Sequence, residues 1–311
     1  MRAAFIINPR AANGRCRRRW RRFAKTLSAR APWPYTAHFT ARGRDAETLA
    51  RRVLREGADL VVAVGGDGTL NEVANGFFED SRPINPSAAL ALLPWGTGHD
   101  FARSLHLPPD SVSALSLLTE GEATPIDLGR ATFRTDRGES ETRWFVNIAE
   151  FGSGGAVVDR VNRTTKVLGG RISFLIAILQ TLPKYRNRMV TFRSDAGQTG
   201  TMRVNNFVVA NGRFFGGGLM PAPRAELDDG LFDVVIFGDF DFAVARRHLK
   251  DLRRGTHLSL PFVRSFRAAW VETSETEGAL VDLDGELVGR DPIRFEIAPK
   301  VVRFLLATKR G

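Results

Sequence analysis

Gly65-Gly66-Asp67-Gly68 stands between an apolar run at residues 60–64 and a helical pattern that opens with Thr69, Leu70, Asn71 and Glu72. Glycines at this density let the backbone turn sharply and come close to a ligand. An unbroken apolar run of this length is expected of a strand buried on both faces. Thr69 can cap the helix that follows, with Asn71 and Glu72 in its first turn. Strand, glycine loop and helix start together make an anion site, because open N–H groups and the helix dipole point at the same place. Asp67 adds a second requirement: a carboxylate among phosphates suits a shared Mg²⁺ or a proton to be moved. A glycine turn of this kind also occurs in generic α/β domains, so a second copy matters. Residues 88–93 are apolar, Pro94-Trp95-Gly96-Thr97-Gly98-His99-Asp100 is another glycine loop, and a helix opens at Phe101. Two such units on neighbouring parallel strands would bring two N–H-rich loops to one sheet end, where α/β ligands bind.

The elements that must position these loops follow from the hydrophobic pattern. Residues 3–7 read as a first strand ending in Asn8-Pro9, followed by a basic helix over 15–28. Residues 35–39 form a second strand ending at Thr40, and residues 44–57 a helix with Ala46, Leu49, Ala50, Val53 and Leu54 on one face. After the break at Pro125 and Asp127-Leu128-Gly129, strands dominate: 143–149, 188–193, 202–210, 231–237, 266–273, 279–283 and 292–298. Two helices interrupt them, 170–182 and 242–254. Many short strands with turn signals between them predict a β-sandwich. The domains expected are an α/β domain at 1–125, a β-sandwich at 126–300, and a terminal segment at 301–311 that returns to the first domain.

The chain has 311 residues, 43% of them hydrophobic and 25% charged, which suits two ordinary globular domains with sizeable cores. Cys16 is the single cysteine, so no disulfide framework or cysteine zinc site is available, as fits a reducing cytoplasm. The opening apolar stretch is too short for a signal peptide. The run at 172–182 holds Ser173, Gln180 and Thr181, falls well short of a membrane span, and reads as a buried helix. A net charge of +11 favours acidic partners. Its densest part is Arg15-Cys16-Arg17-Arg18-Arg19-Trp20-Arg21-Arg22, either a solvated helix face or a contact for anionic membrane or nucleic acid.

GGDGTLNEV followed by PWGTGHDFARSL resembles the catalytic domain of diacylglycerol kinases, the superfamily of bacterial lipid kinases and of sphingosine and ceramide kinases, whose nucleotide domain is shared with NAD kinases and phosphofructokinases. Further matches follow in order: the Asn8-Pro9 turn, residues 145–152 (FVNIAEFG), 211–218 (NGRFFGGG), 223–231 (PRAELDDGL) and 281–286 (VDLDGE). Ordered motifs from residue 8 to about residue 305 are far more specific than any single glycine loop. The resemblance implies an N-terminal α/β nucleotide-binding domain of NAD-kinase and phosphofructokinase type joined to a C-terminal β-sandwich. It assigns nucleotide contacts to Asn8, Thr40, Gly65, Gly66, Asp67, Gly68, Thr69, Asn71, Gly96 and Thr97. It places the proton acceptor in the Asp284-Gly285-Glu286 motif without deciding between Asp284 and Glu286, and a structural Mg²⁺ at Glu226, Asp229 and the Leu231 carbonyl. This chain departs from the pattern at His99, where the family has Asn, and at Trp95, where it has a smaller residue.

Phosphoryl transfer needs a phosphate cradle, a divalent cation, and a base or positioner for the attacking hydroxyl. The loops supply the cradle, Asp67 the partner of a nucleotide-bound Mg²⁺, and Asp284 or Glu286 the base. Alternation along a strand would put those last two carboxylates on one side of the chain. Neither a Walker A motif nor a G-x-G-x-x-G fingerprint is present, so neither a P-loop ATPase nor an ordinary Rossmann dehydrogenase is supported. The expectation is an ATP- and Mg²⁺-dependent lipid kinase acting on diacylglycerol or a related lipid alcohol, with ATP on one wall of an interdomain cleft and the lipid hydroxyl on the other. It would be cytoplasmic and able to sit peripherally on the inner face of the membrane. A homodimer is compatible with the sequence. A kinase of a soluble acceptor, like NAD kinases, is the alternative. A nucleic-acid-binding protein ranks below both, because no aromatic-rich RNA motif or helix-turn-helix pattern accompanies the arginines.

Overall fold

A computed structural model of the chain describes residues 1–163, 170–274 and 278–307. It divides into two compact units, Met1–Ile126 with Lys300–Gly311, and Asp127–Pro299. Residues 308–311 of the expected terminal segment lie outside the described residues.

In the first unit, apolar strands alternate with amphipathic helices. Its strands are β1 (Ala3–Ile7), β2 (Tyr35–Phe39), β3 (Leu60–Gly65) and β6 (Ala89–Pro94), with a small hairpin of β4 (Phe78–Glu79) and β5 (Arg82–Pro83). Its helices are α1 (Arg15–Arg30), α2 (Asp45–Arg55), α3 (Asp67–Asn75), α4 (Asp100–Ser104) and α5 (Ser111–Glu120). All pairings in the main sheet are parallel, in the order β6-β3-β1-β2, and residues 303–304 near the chain's end add a parallel strand beside β6. Parallel strands covered on both faces must be apolar throughout, and every residue of β1, β3 and β6 is buried. One face carries Phe5, Ile7, Val62, Val64 and Leu93 against Cys16, Trp20, Phe23 and Leu27 of α1 and Leu115 and Leu118 of α5. Those α1 positions recur every three to four residues and turn Arg15, Arg17, Arg18, Arg21 and Arg22 to solvent. Burial pushes the Cys16 thiol up to about 11, which leaves it unreactive.

The second unit opens within β7 (Glu122–Arg134), which turns back through β8 (Ser140–Phe145). Next come β9 (Ile148–Gly152), α6 (Ser153–Arg163), α7 (Gly170–Thr181), β10 (Arg188–Ser194), β11 (Thr199–Val204) and β12 (Asn206–Ala210). The rest is β13 (Phe232–Phe237), α8 (Phe242–Arg247), α9 (Leu249–Arg254), β14 (Val263–Ala268), β15 (Trp270–Thr273), β16 (Leu280–Leu283) and β17 (Glu286–Leu306). One layer runs β14-β13-β12-β9-β16-β17, antiparallel at every pairing. In the other, β15 joins β10 to β17, β10 carries β11, and β7 joins β17 to β8. β17 serves both: residues through Arg290 pair with β16, and residues from Arg294 pair with β15. The core between the layers is rich in phenylalanine, with Phe133, Phe145, Phe151, Phe192, Phe207, Phe232 and Phe295 all essentially inaccessible. This is the sandwich that the strand pattern predicts.

Several expected elements are divided, two of them where a carboxylate takes over backbone hydrogen bonds. The single strand expected at 143–149 breaks at Val146 and Asn147, whose N–H groups go to the Asp284 carboxylate at 2.7 and 2.9 Å. The one expected at 266–273 breaks at Ala269, where Asp195 accepts the N–H groups of Ala269 and Trp270 at 3.1 Å each. The 202–210 strand breaks at Asn205, whose side chain bonds Asn187 and Ser153. The 242–254 helix divides at His248, which bonds Asp251 at 2.7 Å. Alternation carries no information about the long-range contacts among these.

Gly129, in the boundary tripeptide of the sequence, has a packing reason. A Cβ there would lie 2.0 Å from the ring of Phe145, which stacks on Phe232 at 5.5 Å and 16°. Gly129→Ala is expected to destabilise the second unit by about 1–3 kcal/mol, read as a lower urea midpoint with the circular dichroism of the folded state retained. An unchanged midpoint would show that Phe145 has room to turn.

Candidate functional site

The two glycine loops meet through their backbones. β3 and β6 are parallel neighbours, with Gly65 beside Pro94. A Cβ on Gly96 would lie 2.4 Å from the Cα of Gly66, and one on Gly65 would lie 2.5 Å from Thr69 Oγ1. A Cβ on Gly98 would lie 2.7 Å from Asp67 Oδ2. No side chain other than hydrogen fits at these three positions without moving its neighbours. Asp67 is the first residue of α3, and its carboxylate accepts the N–H groups of Asp100 and Phe101, both at 3.3 Å. The acid of the first loop therefore closes the helix start of the second. Among the described residues Asp67 has no ion-pair partner, so its charge is uncompensated by any basic side chain.

The remaining nucleotide-site candidates of the first unit lie at the same sheet end. Asn8 follows β1, donates to Thr69 Oγ1 at 3.2 Å and bonds Val64 through its backbone. Thr40 follows β2 and donates its N–H to Ile7 at 2.9 Å. Gly68 lies in the first turn of α3, Thr97 is exposed, and Asn71 is buried and accepts from Asn75. The helix begins earlier than expected, so Thr69 is not its cap: Gly66 holds that position with no side-chain bond. The first N–H groups of α3 are thus left without a side-chain acceptor. His99 sits at φ 61°, ψ 27°, a left-handed conformation for which Asn, Asp and His are the favoured non-glycine residues. Exchange of Asn for His there keeps the backbone requirement. Trp95 is buried, with the Arg19 guanidinium 4.5 Å over its ring and Phe23 edge-on at 5.3 Å.

In the second unit, Asp284-Gly285 makes the two-residue turn from β16 to β17, with φ of 54° and 89°. That is the hairpin geometry for which Asp-Gly is suited. Because Asp284 lies in the turn and not in extended chain, alternation does not place it beside Glu286. Its carboxylate instead folds back to accept three successive N–H groups, from Val146, Asn147 and Ile148, at 2.7–2.9 Å. Asn147 donates to the Phe214 carbonyl, and Asn211 donates to the carbonyls of Asp127 and Val146. Three of the sequence motifs are thereby tied into one bracket around the turn. Glu286 heads β17 and is half-buried.

Glu226, Asp229 and Leu231 lie in the loop that leads into β13. Asp229 is ion-paired with Arg267 and accepts the N–H of Leu231 at 3.0 Å, while Glu226 is exposed. Asp233, whose carboxyl burial pushes up to about 6, lies 3.6 Å from the same Arg267. Among the described residues no cluster of three or more His, Cys, Asp or Glu side chains is placed to hold a metal. Asp67, a lone carboxylate beside open backbone amides, is of the type that would suit an Mg²⁺ held mainly by phosphates and water.

Two buried acids escaped the sequence reading. Glu150 on β9 and Asp282 on β16 are 5% and 2% exposed. Their signal was an acidic residue inside an otherwise apolar strand, FVNIAEFG for the first and VDLDGE for the second. No helix among the described residues is long and apolar enough to cross a membrane.

Residues 2–131 match the family described as the diacylglycerol kinase catalytic domain, and residues 147–306 match the YegS C-terminal NAD kinase beta sandwich-like domain. The diacylglycerol kinase of Staphylococcus carnosus is 30% identical over 266 residues, covering 86% of this chain and 82% of that protein. That of a Staphylococcus aureus strain is 29% identical over 294 residues, 94% and 89% of the two chains. The crystal structure of a diacylglycerol kinase from Bacillus anthracis superposes with a TM-score of 0.70 at 21% identity, over 98% of this chain and 96% of that one. Yeast NADH kinase complexed with NADH shares the fold more distantly, with a TM-score of 0.55 at 11% identity, over 100% of this chain and 84% of that one. Two glycine loops on adjacent parallel strands, an ordered set of motifs and relatives matched over most of their length lead to one assignment: the chain belongs to the diacylglycerol kinase family and has the fold of a nucleotide-using kinase.

Proposed function

We infer that the chain transfers the γ-phosphoryl group of ATP to the hydroxyl of diacylglycerol or a related lipid alcohol. The observation that carries this reading is the backbone contact of Gly66 with Gly96, closed by the bonds from Asp67 to the α4 amides. Two loops held this closely present N–H groups to one polyphosphate, and the side-chain-free start of α3 adds the helix dipole. Asp67 would hold the nucleotide's Mg²⁺, directly or through water; the ion, when bound, offsets charge on the phosphates. Asn8 and Thr40, at the ends of β1 and β2, would border the same nucleotide. Glu286 is the better candidate for the proton acceptor, because the Asp284 carboxylate is committed to three amides. A lipid hydroxyl is a poor nucleophile at neutral pH, so a positioned carboxylate is needed to take its proton as the phosphorus–oxygen bond forms. The exposed arginines of α1 favour work at an anionic lipid surface.

Purified protein incubated with Mg·ATP and a panel of lipid alcohols, with NAD as a soluble comparison, is expected to label a lipid and leave NAD unchanged; labelling of NAD alone would install the soluble-acceptor reading. Gly96→Ala is expected to weaken ATP binding by about tenfold or more, since a displacement near 1 Å is already costly at such a site. Calorimetric titration on protein with unchanged melting behaviour checks this, and wild-type affinity would remove the second loop from the nucleotide site. Glu286→Gln is expected to lower kcat by about 10²–10⁴ with ATP affinity retained, and equal losses in Asp284→Asn but not in Glu286→Gln would reverse the two roles.

A further inference from the structure

Behind the Asp284-Gly285 turn lie two carboxyl groups that phosphoryl transfer does not use. Asp282 and Glu150 stand opposite each other across the antiparallel pair β16·β9, where facing Cβ atoms are about 4.5–5.5 Å apart. Asn206 on β12 donates to Glu150 Oε2 at 2.6 Å. Gly154, at the start of α6, makes room for that carboxylate: a Cβ there would lie 2.2 Å from it. Asp282 Oδ1 accepts the N–H of Gly285 at 2.8 Å, and Asp282 Oδ2 is buried with no hydrogen-bond partner. One oxygen of Asp282 is thus built into the turn, and the other is left over in a site whose strongest neighbouring charge is Glu150.

Two buried carboxylates this close cannot both be ionised unless a cation joins them. None does. The charged groups acting on Asp282 are Glu150, Asp284 and Glu286, all acidic, and Glu150 answers only to its burial and to Asn206. Of the elements against the pair, β12 brings the neutral Asn206. α6 brings Gly154 and, farther along, Asp159 and Arg160, the latter bonded to Gln180.

We propose that Asp282 and Glu150 are positioning residues for the Asp284-Gly285-Glu286 turn, a couple in which Asp282 keeps its proton on Oδ2 and donates it to the Glu150 carboxylate while Oδ1 holds the Gly285 amide. The couple explains the leftover oxygen: as a hydroxyl it becomes a donor beside an acceptor, and a charge-assisted bond of this kind is short and strong. Burial raises both carboxyls, and because Glu150 already accepts from Asn206 while Asp282 Oδ2 has no donor, the proton stays on Asp282 when Glu150 ionises. Protonating Glu150 replaces the charge-assisted bond by a neutral one, and the proton comes from solvent. Its catalytic consequence rests on the lipid-kinase reading; its hold on the turn does not.

The test separates the two. In ¹⁵N-glycine-labelled protein the Gly285 amide shift is expected to titrate with a midpoint of about 7. It should lose that titration in Glu150→Gln and lose its hydrogen-bonded position in Asp282→Ala. Where a lipid is phosphorylated, Asp282→Ala should lower kcat by about tenfold with the KM for ATP little changed. Asp282→Asn, which keeps the Oδ1 acceptor, should recover most of that loss, and the inflection of kcat near neutrality should vanish in Glu150→Gln. Stability follows with a definite sign. Native Glu150 keeps its proton to higher pH than the unfolded chain, whose Glu titrates at 4.5, so its contribution is complete below 4.5 and lost once pH has passed about 7. A Gly285 shift that is flat with pH, or that titrates unchanged in Glu150→Gln, overturns the proposal; absent turnover beside a titrating Gly285 amide counts against the kinase reading and supports the couple.

Discussion

The contact between Gly66 and Gly96 is the constraint on which the first unit's chemistry depends. Parallel strands lie a fixed distance apart, and loops leaving two neighbours can touch only if neither carries a side chain at the crossing. A methyl group on Gly96 would come within 2.4 Å of the opposite Cα, so the approach depends on glycine. Once the loops touch, their open amides share one small volume, and the Asp67 carboxylate is held between two helix starts. Everything proposed for the nucleotide follows from that proximity: the amides for phosphate, the uncompensated acid for the cation, and Asn8 and Thr40 at the ends of the flanking strands.

The same physical device recurs through the chain. Asp67, Asp195 and Asp284 each place a carboxylate on successive backbone N–H groups where regular structure stops or starts. A carboxylate offers about four lone-pair positions, so it can end a strand without leaving amides unsatisfied. In the second unit this gives the sandwich sharp corners. Asp284 interrupts the run from β8 to β9, and the freed segment is what Asn211 grips through the Val146 carbonyl. Motif residues that a family resemblance assigns to catalysis are therefore partly architectural here, and Asp284 is the plainest instance.

This recurrence also explains what could be read from the residue order. The parallel sheet was legible because β1, β3 and β6 are buried on both faces and show as unbroken apolar runs. The pairing of the two glycine loops was legible because the strand–loop–helix unit occurs twice. The strand breaks were not. Val146 continues the apolar run of its neighbours and Asn147 is a single polar residue within it, and a carboxylate 138 residues away from Val146 takes them out of the ladder. The ion pair of Asp229 was illegible for a related reason: the spacing of Glu226, Asp229 and Leu231 contains no sign that Arg267, from β14, arrives at the same carboxylate. His99 was visible as a departure from the family pattern, but its reason, a left-handed backbone, belongs to φ and not to side-chain chemistry.

Buried acids with a single donor and no cation are the exception to this economy, and their position decides how they should be read. Asp127 and Asp284 are satisfied by N–H groups of their own unit. Glu150 and Asp282 have one donor each, Asn206 and the Gly285 amide, and so must limit their charge by keeping a proton. A pair of leucines would fill comparable space on this sheet face, opposite the phenylalanine-rich core and toward α6, at less cost. The acids stand immediately behind the turn that carries Asp284 and Glu286 into β17, and one of them forms a hydrogen bond within that turn. An arrangement that is costly for the core but specific for the turn is what selection for geometry, and not for stability, would leave.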